Sequence, residues 1–69
     1  MFCGKRVRLA RIEAGMSVPT LAQKARITVD TIYRLERGGQ VQPTTMAKIA
    51  AALGRNIKDF VDDDILKGE

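Results

Sequence analysis

The sequence predicts an all-α domain built from five short helices. Three observations carry that expectation. Apolar residues recur at helical three- and four-residue spacings rather than in alternation. Capping residues and glycines bracket each candidate helix where its two ends need them. No run of alternating apolar and polar residues is long enough, or rich enough in β-branched types, to read as a strand.

The first helix covers residues 3–14, where Cys3, Val7, Ala10 and Ala14 fall on one face and Gly15 follows as a left-handed end. Ser17 reads as the N-cap of a second helix over residues 18–25. Pro19 stands in its first turn, where a missing N–H costs nothing, and Leu21, Ala22 and Ala25 face inward. Arg26-Ile27 is a tight connection. Thr28 caps a third helix over residues 29–37, with Asp30 in the first turn, Ile32 and Leu35 inward, and Gly38-Gly39 as its stop. A loop over residues 38–43 ends at Pro43. Thr44 or Thr45 then caps a fourth helix over residues 45–53, which buries Met46, Ile49, Ala50 and Leu53 and ends at Gly54. Asn56 caps a short fifth helix over residues 57–61 that adds Ile57, Phe60 and Val61 to the core. The organisation expected is one domain over residues 1–61 and an acidic, frayed tail over 62–69.

Composition removes several functions. A chain of 69 residues buries only about 60% of the surface its unfolded form exposes, so the fold must be efficient or partnered. Cys3 is the single cysteine and there is no histidine, which excludes a disulfide framework and the commonest zinc ligands and general base. No clustered carboxylates stand beside a nucleophile, and Asp62–Asp64 lack the spaced ligands and shaping glycine of a calcium loop. Neither catalysis nor a cofactor is expected. No apolar run approaches the roughly 18 residues that span a bilayer, and the first fifteen residues carry scattered cations instead of a leader's apolar stretch. A cytoplasmic protein with no second domain for a ligand is the expectation. Positive charge is concentrated: residues 1–37 hold eight Lys/Arg against Glu13, Asp30 and Glu36, whereas residues 38–69 hold four against five acids. Such a basic half suits a polyanion, most often nucleic acid, although it also serves ordinary solubility.

Helices 2 and 3 are separated by too few residues to pack antiparallel along their lengths. That spacing is the geometry of a helix-turn-helix. The ordered set Arg11, Gly15-Met16-Ser17, Leu21-Ala22-Gln23-Lys24, Ile27-Thr28, Thr31-Ile32, Leu35-Glu36-Arg37-Gly38, Pro43 and Ile49 through Gly54 resembles the Cro/C1-type (lambda repressor-like, XRE) helix-turn-helix family. The resemblance implies a compact five-helix domain that binds double-stranded DNA, usually as a homodimer, in transcriptional control. It also implies that the positions matching Val29, Asp30 and Arg34 read bases. Ser17 and Val18 at the start of helix 2, with Thr28, Arg37 and Gly38 around helix 3, then contact the sugar–phosphate backbone.

The chemistry of these side chains fits that assignment without forcing it. Arg34 can pair bidentately with guanine or hold a phosphate; Asp30 can accept from cytosine N4 or merely complement the helix dipole. Val29 can meet a thymine methyl or be incidentally exposed, and Tyr33 can reach DNA or cover the edge of the core. The family pattern pairs Arg11 with Glu36, a structural rather than catalytic role, and places a dimer contact around Arg55, Asn56, Ile57 and Lys58. Two departures stand out. Val18 occupies a position where glutamine is common, and Gln40-Val41-Gln42 replace basic residues, which lowers the number of phosphate contacts and flattens the salt dependence. Leu9 and Ile12 lie off the buried stripe of helix 1. With Phe2 they widen the core, or they form a surface for a protein partner.

Overall fold

The structure is a computed structural model and describes residues 2–61; the tail expected over 62–69 lies outside the described residues. Four α-helices and one 3-10 turn follow in order: α1 Gly4–Glu13, α2 Val18–Ala25, α3 Val29–Glu36, α4 Pro43–Ala52 and the turn Ile57–Phe60. The chain is thus all-helical among the described residues, apart from an isolated antiparallel bridge between Phe2 and Val61. The expected fifth helix is only a 3-10 turn. Arg55 and Asn56 leave room for a single turn before Phe60 must reach the core, and Val61 is already extended.

Further boundaries differ from the sequence expectation, among them the end of α3, which closes at Glu36 with Arg37 as its C-cap. α1 starts one residue later and ends one earlier, so that its inner face is Gly4, Val7 and Ala10, while Ala14 is the exposed C-cap. α4 starts at Pro43 itself, with Gln42 as the N-cap and no side-chain cap. Neither Thr44 nor Thr45 performs that role, because proline's fixed φ suits the first helical position. Leu53, expected inside α4, is its half-buried C-cap.

Val7, Leu21, Ile32, Leu35, Met46, Ile49 and Phe60 form the fully buried centre, contributed by all five elements. Each such side chain contributes about 1.5–3 kcal/mol relative to exposure. Ala22, Ala25 and Ala50 let α2 and α4 approach closely. All four helices close with the same six-residue hydrogen-bond pattern, Met16 N–H to Arg11 O, Ile27 to Ala22, Gly39 to Arg34 and Arg55 to Ala50. That pattern needs a left-handed residue, which is glycine at three ends; at the end of α2 it is Arg26, with φ 59°.

Two contacts set the position of α3. Gly4 lies against the Leu35 carbonyl so closely that a Cβ would collide with it, so only glycine lets the start of α1 rest on the end of α3. Gln40, in the loop after α3, clasps the N-terminal segment: Phe2 N–H donates to Gln40 Oε1 at 3.0 Å and Gln40 Nε2 donates to Phe2 O at 3.3 Å. A basic residue at position 40 could not make this pair of bonds, since it has no acceptor.

Candidate nucleic-acid interface

α3 presents two faces with opposite chemistry. Ile32 and Leu35 are fully buried, while Asp30, Tyr33, Arg34 and Arg37 are exposed on the outer side. The side chain of Asp30 is 78% exposed and that of Arg34 is 72% exposed; they approach each other to 4.0 Å as an i,i+4 pair. Tyr33 borders a shallow cleft with Arg8, Arg11, Glu36 and Arg37, so the outer face continues onto α1. Arg8 has no place in the sequence reading, which treated the scattered cations of helix 1 as general charge.

The N-termini of α2 and α3 are built alike. Ser17 Oγ accepts from Thr20 N–H at 3.2 Å and shares a 2.9 Å hydrogen bond with Thr20 Oγ1. Thr28 Oγ1 accepts from Thr31 N–H at 3.3 Å and shares a 2.8 Å bond with Thr31 Oγ1. Each pair of hydroxyls has two protons and one mutual bond, which leaves one proton for an outside acceptor such as a phosphate oxygen. The positive ends of both helices add to that attraction. The family pattern includes Thr31 without giving it a contact, and Thr20 stands outside that pattern. Their signal is there, a hydroxyl residue followed three later by threonine, twice.

The remaining candidates are placed differently. Val18 is buried in the core at 6% exposure, so its side chain cannot meet DNA, and only its main chain at the first turn of α2 could. Its position one residue after the cap turns Cβ inward, which makes an apolar residue the natural choice there. Val29 is half-buried against the core rather than fully outward. Gly38 adopts φ 104° and its N–H already donates to Leu35 O at 3.0 Å, so its part is to turn the chain.

Arg11 and Glu36 join α1 to the end of α3. Arg11 Nε donates to Glu36 Oε2 at 2.9 Å and Nη2 to Oε1 at 3.1 Å, while Nη1 donates to Met16 O at 2.9 Å. With side chains only 13% and 9% exposed, the pair is desolvated, yet bidentate geometry and the third bond satisfy the guanidinium. The hydrogen bonds to Glu36 raise the Arg11 pKa above its ordinary value against the opposing effect of burial. This pair fixes the base of α3, the element whose outer side is offered to solvent.

Leu9 and Ile12 are 59% and 54% exposed. The wider core that the sequence allowed does not form around them. Together with Lys5 and Arg8 they line a shallow furrow along α1. Phe2, in contrast, packs partly buried against the core. Around the expected dimer contact, Arg55 is exposed and bonds Glu13 at 3.2 Å. No helix among the described residues is long and apolar enough to cross a membrane.

Two short helices joined by three residues, the second lying with one face in the core and the other bare, define a helix-turn-helix domain. The helix-turn-helix family model matches residues 7–60, and the chain belongs to that family, of the Cro/C1 type. Among solved structures, the chain is similar to one from a complex of a SinR protein with a SinI protein, at 27% identity and a TM-score of 0.80. The match covers 94% of this chain and 65% of that one.

Proposed function

We propose that the protein is a sequence-specific, repressor-like regulator that binds a palindromic DNA site as a homodimer, with α3 of each subunit in the major groove. The observation that carries this reading is the bare outer face of α3, with Asp30, Tyr33 and Arg34 at base-reading positions and Arg37 beside them. Ser17 and Thr28, with their threonine partners, hold phosphates on either side through hydroxyl protons and helix ends. The two recognition helices of a dimer then sit about 34 Å apart on one side of the duplex. Selection of bound duplexes from a random pool tests the proposal, with titration of selected and scrambled sequences at several salt concentrations. Paired half-sites about one helical turn apart are expected; equal affinity for every sequence would remove the sequence-specific reading.

The exposure of Leu9 and Ile12 favours a second role, a protein contact through α1. The similar solved structure is itself a complex of two proteins. A stoichiometric partner, or self-association, that the native chain shows and the L9S/I12S double variant loses would establish this contact. Identical sedimentation and capture by both forms would dismiss it.

A further inference from the structure

Asp30 is an unusual residue to place at the leading end of a helix that enters a groove between phosphates. Its carboxylate only accepts hydrogen bonds, and most major-groove edges offer acceptors: guanine N7 and O6, adenine N7 and thymine O4. The helix dipole favours an acid in this first turn, but capping does not require one, because Thr28 already accepts from the Thr31 N–H. Its side chain stays 78% exposed, and the group it approaches is Arg34, one turn on, at 4.0 Å. A pair this exposed is held weakly and opens readily to a better set of partners.

Resting on the DNA-binding reading above, we propose that Asp30 and Arg34 act as one unit that reads a single C·G base pair. The major-groove edge of that pair presents the two guanine acceptors and the cytosine amino donor side by side. Arg34 donates to guanine O6 and N7 while Asp30 accepts from cytosine N4, and both charges keep partners as the ion pair opens. At a T·A pair the carboxylate faces thymine O4 and at a G·C pair it faces guanine O6, both acceptors; an A·T pair keeps an amino donor there, adenine N6, and is discriminated through Arg34, which loses the two guanine acceptors. Asp30 thereby rejects T·A, the pair at which Arg34 can still donate to adenine N7. Part of the specificity comes from repulsion rather than added attraction.

The test is selection from a random duplex pool with the native chain, D30A, R34K and the double variant, followed by titration of duplexes that differ only at the selected pair. Melting of each variant first establishes that it is folded. The native chain is expected to fix one C·G pair in each half-site. D30A is expected to lower its preference over T·A by about fivefold to tenfold, near the lower end of one base contact, and to bind mismatched duplexes more tightly than the native chain does. R34K keeps the charge, loses the bidentate fork and loses the same preference. The double variant is expected to lose no more than the worse single one. An unchanged C·G preference in D30A, or losses that simply add, would overturn the coupled readout while leaving DNA binding intact. A native chain that selects no sequence would overturn this inference together with the reading beneath it.

Discussion

Two of the arginine–carboxylate pairs among the described residues lie at opposite sides of α3, and they differ in construction. Arg11–Glu36 lies between α1 and the base of α3, bidentate at 2.9 and 3.1 Å and almost closed to water. Arg34–Asp30 lies on the outer face, single-stranded in geometry at 4.0 Å and about three-quarters exposed. The inner pair cannot lose a partner without leaving a desolvated charge, so it fixes geometry. The outer pair can exchange partners at little cost, since water competes with it throughout. Burial, not residue identity, separates a brace from the exposed pair proposed to read DNA.

Several substitutions would sharpen or break that contrast. Glu36→Ala should be the most damaging, because it strands Arg11 in a partly buried site; about 3–5 kcal/mol is expected. Total stability for a chain of this size is only about 4–10 kcal/mol, so urea melts should find the variant largely destabilised. A cycle with Arg11→Ala should show strong coupling; additive losses would mean that the two side chains act independently. Gly4→Ala comes next. It forces α1 away from the Leu35 carbonyl beside the inner pair, with an expected loss of about 1–3 kcal/mol in the same melts. A melting point equal to that of the native chain would show that the helices shift freely there.

Arg26→Gly should act in the opposite direction. The end of α2 is the one helix end among the four where a side chain occupies the left-handed conformation, which costs roughly 1 kcal/mol beyond glycine. Glycine loses part of that gain through its freer unfolded chain, so a rise in stability of about 0.5 kcal/mol is expected. The smallest stability effect belongs to Asp30→Ala, which should leave the melting midpoint within error of native while changing sequence preference. A large drop in stability would make the outer pair a second brace. Salt separates the pairs as well: raising it should weaken DNA binding, by released counterions, and should leave the contribution of Arg11–Glu36 almost untouched.

Much of this architecture is local in origin and therefore legible in the residues themselves. Ser17, Thr28, Gly15, Gly38 and Gly54 punctuate the chain through their own bonding and backbone preferences. The three- and four-residue spacing of Leu21, Ile32, Leu35, Met46 and Ile49 marks the inner faces, because a helix brings those positions together whatever lies beyond it. The boundaries missed at Ala14 and Thr45 are ones that a neighbouring cap or proline outweighs.

What sequence could not decide was how far each side chain is from water. Val18 stands one residue past the Ser17 cap, at the very start of a helix, yet it is buried in the core. Leu9 and Ile12 are as apolar as the residues beside them, yet nothing among the described residues covers them. Gly4 carries no periodic signal at all; its role exists only because the end of α3 comes to rest on it. Gln40 likewise is a polar loop residue until Phe2 arrives beside it. Propensity and spacing act over one or two turns, so the chain by itself determined the helices and their inner faces. Burial, close approach and the distinction between the two arginine pairs depend on segments twenty-five to thirty-eight residues apart, and only their packing in three dimensions settled them.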